Sequence, residues 1–289
     1  MSAISELSES AAGSGLRRRW RPPALTAAAL VFLALVLLCL IAGPLLAPQD
    51  PDKQNVLLGA VPPSSAHLLG TDQLGRDVLS RLIVGTRPTL IGPLCVAVGA
   101  TLIGSSLGLL AGYRGGPVDA VVSRLADLIF ALPALLVAVV VIGVLGGGYL
   151  LAVAILIFLS IAWQIRVVRG AALVQARLPY VDAARTLDLS DLRIMGRHIL
   201  PNISAVVVTS FLLDLVAAVI SFSGLAFLGL GVPAGSAAWG SMLADGQALI
   251  TTNAWLSLAP AVLIVLTAAS MTLSGDWVYE LLSSAHEQI

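Results

Sequence analysis

The chain has 289 residues, of which 58% are hydrophobic and 11% charged; its formal net charge is zero and its mean hydropathy is +0.97. Soluble and disordered chains do not have this composition, and it describes an all-α, polytopic membrane protein. Lys53 is the single lysine among 16 basic residues, and the zero net charge hides how unevenly those residues are placed.

Uncharged runs longer than the roughly 18–20 residues that cross a bilayer occur at 24–47, 88–112, 128–165, 215–244 and 246–275. The third holds two spans, with Gly146-Gly147-Gly148 as the turn. Six transmembrane helices are predicted, at about 24–47, 89–112, 128–146, 149–165, 203–224 and 257–275. The first run is too long for a signal peptide and ends in Gly43-Pro44 and Pro48, so it reads as a retained helix. Cys39 and Cys95 fall inside spans, where they pack as small apolar residues and supply neither a disulfide framework nor a metal cluster.

With six spans, Arg17, Arg18, Arg19 and Arg21 share a side with Arg114, Arg124, Arg166, Arg169, Arg177, Arg185, Arg193 and Arg197. Lys53, Arg76, Arg81 and Arg87 lie on the other side, and this bias puts both termini in the cytoplasm. The expected organisation is a cytoplasmic tail (1–23), a first helix (24–47), an extracytoplasmic segment (48–88), a main membrane domain (89–279) and a cytoplasmic tail (280–289).

In the outer segment, Gly70, Gly75 and Gly85 permit tight turns while Asp72, Arg76, Asp77, Arg81 and Arg87 can pair into an ordered cap; a solvated linker is the alternative. Gly104-Ser105-Ser106-Leu107-Gly108 matches a serine-nucleophile pattern, but His67, His198 and His286 all lie outside mid-membrane depth and supply no base. Gly104, Gly108 and Gly112 instead form a stripe for close helix packing.

Nine charged residues lie between Arg166 and Arg197, and immersing them at roughly 2.5–3.5 kcal/mol each is prohibitive. The loop is therefore outside the membrane, with Pro179 starting a short helix whose apolar face is Val181, Ala184 and Leu187. Ser190 or Asp188 caps a second, faced by Leu192, Met195 and Ile199 and stopped by Pro201. Two uses fit: docking into a groove on a soluble partner, or helices resting on lipid with arginines that only fix topology.

Asp214 lies near the middle of the fifth span. It is a candidate for the bundle interior or a translocation pathway, meeting a peptide amino terminus or a cation, or else is protonated or bonded to a neighbouring Ser or Thr. Segment 225–256 is too polar and broken to span, and reads as a re-entrant or surface element or a loop lid. No phosphate-binding G-x-x-x-x-G-K-[ST] is present, so ATP hydrolysis is assigned to partner chains.

"DAARTLDLSDLRIMGRHILPN" (182–202) resembles the EAA loop of ABC importer permeases. Asp182, Ala183, Ala184, Leu200 and Pro201 fit that frame, with Asp182 in place of the Glu and Asp188 in place of the Gly between the two short helices. "HLLGTDQLGRDVLSRLIVGTRPTL", "AGYRGGPVDAVVSRLADLIFALP", "FLGLGVPAGSAAWGSML" and "GDWVYELL" look like blocks of dipeptide, oligopeptide and nickel importer permeases, in particular the C-type subunit. The resemblance implies a type I ABC importer permease fold with an extra N-terminal helix in a bacterial inner membrane, without a cofactor or catalytic residue of its own. Its implied partners are a second permease, two cytoplasmic ATP-binding subunits and an extracytoplasmic binding protein, with no nucleic acid.

Residues 179–201 would then be the coupling loop. Ala183, Ala184 and Leu187 would pack into the ATPase, Asp182 and Arg185 would orient the helix, and a charge at Ala184 would uncouple transport. That role survives the Asp188 replacement if this residue adopts a left-handed conformation or caps the following helix. The implied cargo is di- or oligopeptides; nickel complexes and glutathione-like molecules are alternatives, as is an ion-coupled secondary transporter, for which neither an internal repeat nor an acidic partner of Asp214 is found.

Overall fold

The computed structural model describes residues 22–286, with side chains described through Leu281. The predicted tail with Arg17, Arg18, Arg19 and Arg21 lies outside the described residues, as does the end of the C-terminal tail. The elements are α1 (Ala24–Leu46), α2 (Val78–Arg114), α3 (Gly116–Phe130), α4 (Ala134–Leu145), α5 (Tyr149–Gln175), α6 (Pro179–Thr186), α7 (Asp191–Ile194), a π-helical turn (Met195–Ile199), α8 (Leu200–Asn202), α9 (Ser204–Phe227), α10 (Trp239–Gln247) and α11 (Trp255–His286). Among the described residues there is no strand, only an isolated bridge between Thr71 and Asp77.

Five helices, α1, α2, α5, α9 and α11, are each long and apolar enough to cross a bilayer. The third predicted span, 128–146, is not one helix: α3 and α4 stand in its place and meet at an angle of 76°. The cause is local, because Pro133 cannot donate the backbone bond that would continue α3, and Ala131 and Leu132 form a turn before it. The turn between α4 and α5 falls at the glycine triplet, with Gly146 in the left-handed conformation at the end of α4.

Two predicted boundaries are corrected. α2 begins at Val78 rather than 89, because Asp77 caps it by accepting from the Ser80 N–H at 2.8 Å; the charged residues at its start belong to a helix that rises out of the apolar layer. α11 runs to His286 instead of ending near 275, so the predicted C-terminal tail is largely helical.

α2 and α5 form the central pair. An added Cβ at Gly104 would lie 2.6 Å from the Gln164 Cβ, and one at Gly108 2.7 Å from the Ile165 carbonyl oxygen. The glycine stripe is thus where the backbones meet, and Ser105 merely accepts a hydrogen bond from Gln164 at 3.1 Å. Around this pair lie three apolar clusters: one joins α3, α4, α5 and α9, one sits under α6 and the π turn, and one joins α1, α2, α10 and α11. α1 is peripheral, with only 11% of its apolar window buried within the chain.

α10 lies between α9 and α11 in the chain and packs inward. The Trp239 side chain is 1% exposed, donates through Nε1 to the Leu82 carbonyl at 2.9 Å, and its backbone N–H donates to Thr89 Oγ1 at 2.9 Å. The segment read as a re-entrant or surface element is therefore wedged against α2.

Candidate functional site

Three features bear on function: the α6 end of the bundle, the α10 end, and a cavity between them.

At the α6 end, Pro179 occupies the first turn of α6, and Val181 and Ala184 are 0% and 5% exposed, packed on Ile194, Ile199 and Val168. α6 then terminates in a paired set of backbone bonds, Leu189 N–H to the Ala184 carbonyl (3.3 Å) and Asp188 N–H to the Arg185 carbonyl (3.0 Å). This is the geometry of a Schellman cap, and it requires a positive φ at Asp188, which is 56°. A short polar side chain tolerates that conformation better than any other non-glycine type.

The sequence pattern grouped Val181, Ala184 and Leu187 on one outward docking face and Leu192, Met195 and Ile199 on another, and the structure divides both: Val181, Ala184, Met195 and Ile199 turn inward, and Leu187 and Leu192 stay outside. Leu187 is 74% exposed because α6 ends at Thr186 and the chain turns before Leu187 completes the i, i+3, i+6 series. Leu192 is 80% exposed, while Ile194, Met195 and Ile199 point inward across the π turn. Nor does Pro201 end the second helix. Its missing N–H and its ring are accommodated in a helical run widened by the π turn, and the break comes at Ile203. Ser190 sits at the N-cap of α7 but supplies no side-chain cap.

Ala183, Asp182 and Arg185 are outward, and Arg185 donates to Asp182 at 3.2 Å while lying over the Tyr113 ring. Leu200 and Pro201 lie at the base, beside Asn202, whose amide donates to the His198 carbonyl at 2.6 Å. Sequence reasoning did not single out Tyr113, and it counted Arg114 and Asp191 only among the charges outside the apolar runs. The Tyr113 hydroxyl donates to Asp191 Oδ1 at 3.0 Å and Arg114 donates to Asp191 Oδ2 at 3.3 Å. They lie 77 or more positions apart in sequence, so only the fold brings them together.

At the α10 end, Asp72 is the hub of a cap. It accepts from Arg76 Nε at 2.7 Å and lies 3.6 Å from Arg81 Nε. Arg81 is 1% exposed and donates to the carbonyls of Gly235 and Ser236, both at 3.0 Å, so the cap clamps the loop between α9 and α10. Asp77 pairs with His67 at 3.0 Å. Arg87 is not a member: six residues past Arg81 the helix has turned to another face, where Arg87 is exposed and forms no ion pair among the described residues. Partial desolvation pushes the carboxyl of Asp245, whose side chain is about half exposed, above the usual carboxylate range, against the opposing pull of the Arg76 and Arg81 charges.

A cavity of about 510 Å³ opens beside the α3–α4 bend, walled by α5 and α9. Asp214 lines it and is 4% exposed, and its Oδ2 has no hydrogen-bond partner. Next to this cavity, Arg166 donates to Asp127 at 2.7 Å and lies over the Phe130 ring at 4.1 Å, while Arg169 pairs with Asp119 one turn further along.

Comparison with known proteins identifies the class of this membrane bundle. Residues 104–286 match the family described as "Binding-protein-dependent transport system inner membrane component". The chain is 35% identical over 89% of its length to the probable D,D-dipeptide transport system permease protein of Escherichia coli (strain K12), covering 87% of that protein. It is 36% identical to the di/tripeptide transport system permease protein of Pseudomonas aeruginosa (strain UCBPP-PA14), over 86% of this chain and 84% of that one. It is 37% identical to the glutathione transport system permease protein of Pectobacterium atrosepticum, over 74% of this chain and 71% of that one. An inward-facing structure of the MetNI methionine ABC transporter superposes with a TM-score of 0.59 at 19% identity, over 70% of this chain and 96% of that one.

The chain belongs to the family of binding-protein-dependent transport system inner-membrane components, and its fold is that of a type I ABC importer permease. It is the membrane subunit of an ATP-driven importer, a system that also includes ATPase and substrate-binding components. An ion-coupled secondary transporter is thereby set aside.

Proposed function

We propose that this permease carries di- or oligopeptides delivered by an extracytoplasmic binding protein, and that it forms the pathway with a second, homologous permease. Relatives named for dipeptides, di/tripeptides and oligopeptides support that cargo, and the glutathione relative keeps a γ-linked tripeptide as the alternative. The α6 end faces the cytoplasm, with both termini on that side and the α10 end outside, as the arginine distribution requires. The permease core is residues 89–279, preceded by the extra helix α1. ATP is bound and hydrolysed on two separate cytoplasmic subunits, since the chain has no phosphate-binding loop. Alternating access then follows from movements of those subunits transmitted through residues 179–201.

The observation that carries the coupling assignment is the outward pair Leu187 and Leu192. Two large apolar side chains, each at least 74% exposed, flank the Asp188 cap on an otherwise small or polar surface that includes Asp182, Ala183, Arg185 and Arg193. An apolar knob with a charged rim suits insertion into a protein cleft. Ala184 has a different part: it anchors α6 to the bundle, so a charge there disrupts the knob's support as well as its surface. The discriminating variant is therefore Leu187→Asp/Leu192→Asp. In mild detergent, the wild-type chain should co-purify with ATPase subunits and a second permease, and the double variant should lose the ATPase while keeping the second permease. Undiminished ATPase recovery and transport in the double variant would refute the docking role.

A further inference from the structure

Asp214 presents an unusual arrangement. Its carboxylate is buried on α9 with one oxygen unpartnered, yet it lines a cavity with room for a small molecule rather than being sealed in packed side chains. Besides Asp214, the wall carries only the hydroxyls of Ser160 and Ser221 and the Trp163 indole as polar groups, and the rest is apolar, including Phe130. A carboxylate so placed stays costly until a donor arrives. Within the chain the Ser160 hydroxyl hydrogen-bonds the carboxyl while Oδ2 stays unpartnered, and no charged donor reaches it from the rim, since Arg166, one turn from Trp163, is committed to Asp127 and Phe130.

Resting on the reading of this chain as a peptide permease, we infer that the cavity is a transit site for the free amino terminus of the cargo together with an apolar first side chain. A primary ammonium brings three donors, which the Asp214 carboxylate and the two serine hydroxyls can accept. The aromatic face of Trp163 suits both the cation and the side chain beside it, while Phe130, covered by Arg166, contributes apolar wall. A bare metal ion fits poorly: among the described residues no three His, Cys, Asp or Glu groups converge to hold one, and a mostly apolar wall offers it little. An anionic group is repelled. A phosphatidylethanolamine headgroup shares the ammonium, so the test separates lipid from peptide.

The test uses the whole importer, with second permease, ATPase subunits and binding protein, in vesicles without phosphatidylethanolamine. Initial uptake of leucyl-alanine and glycyl-alanine is measured with saturated binding protein, so that selection by that protein drops out. Asp214→Asn, an isosteric change, is expected to lower the maximal rate of both peptides at least tenfold. Ala217→Trp, which fills the cavity, is expected to slow leucyl-alanine more than glycyl-alanine. In the wild type, 2-phenylethylamine should inhibit uptake without displacing peptide from the binding protein, and 2-phenylethanol should not; this arm stands even if a variant fails to assemble. Normal uptake by Asp214→Asn with a block by Ala217→Trp would leave the pathway reading in place and overturn the ammonium site. Wild-type uptake by both variants would overturn the cavity as part of the pathway. Equal inhibition by amine and alcohol, or amine effects seen only when phosphatidylethanolamine is present, would overturn the inference as well.

Discussion

The Tyr113 hydroxyl donates to Asp191 Oδ1 at 3.0 Å, joining the end of α2 to the first residue of α7. Arg114 reaches the other oxygen of the same carboxylate. On the proposed docking role, a push on the knob would reach α2 through this short polar linkage as well as through the apolar cluster beneath it. Tyr113→Phe removes one bond to a charged acceptor, worth about 1–2 kcal/mol at a partly buried site. The expected outcome is normal assembly with several-fold more ATP hydrolysed per peptide imported, measured in reconstituted vesicles. Asp191→Ala, which also frees Arg114, should have the larger effect.

Asp188 holds the left-handed position that ends α6, at φ 56°. Asp188→Gly removes the conformational cost and should leave the melting temperature of the detergent-solubilised chain unchanged or raise it, by up to about 1 kcal/mol equivalent. Asp188→Val should lower it by about 1–2 kcal/mol equivalent, because a β-branched residue resists positive φ. Equal stability of the glycine and valine variants would contradict the cap.

Gly108 and Gly170 make a contrast within one helix pair. A Cβ at Gly108 meets the Ile165 carbonyl oxygen at 2.7 Å and the Arg169 nitrogen at 3.0 Å, whereas one at Gly170 meets nothing within 4 Å. Gly108→Ala is expected to destabilise the chain by about 1–3 kcal/mol through backbone displacement. Gly170→Ala should be neutral or stabilising by up to about 1 kcal/mol through helix propensity. Thermal unfolding of the purified chain in detergent checks both.

Asp245 carries a pH signature. Its folded-state pKa is raised, so its contribution to stability is fully present below the unfolded carboxylate pKa and is lost as pH rises through the folded value. Asp245→Asn should therefore match or exceed the wild type in melting temperature near neutral pH, and the difference should vanish on acidification. A variant less stable than wild type at neutral pH would show that the pair with Arg76, 3.9 Å away, outweighs burial.

Composition and charge spacing pointed to the stretches apolar enough to span a membrane, to 166–197 as too charged to do so, and to Asp72, Arg76 and Arg81 as members of a charged outer cluster, because these depend on local sums of hydropathy and on short separations. The glycine stripe was legible for the same reason: a four-residue repeat is a helix face whatever packs on it. Only the tertiary structure decided which way the coupling residues point. Ala184 went inward and Leu187 outward because the helix stopped at Thr186, a position set by the Asp188 turn rather than by apolar periodicity. The placing of Asp214 beside the Pro133 bend, and the meeting of Tyr113 with Asp191, join residues far apart along the chain, and no local pattern encodes such a contact.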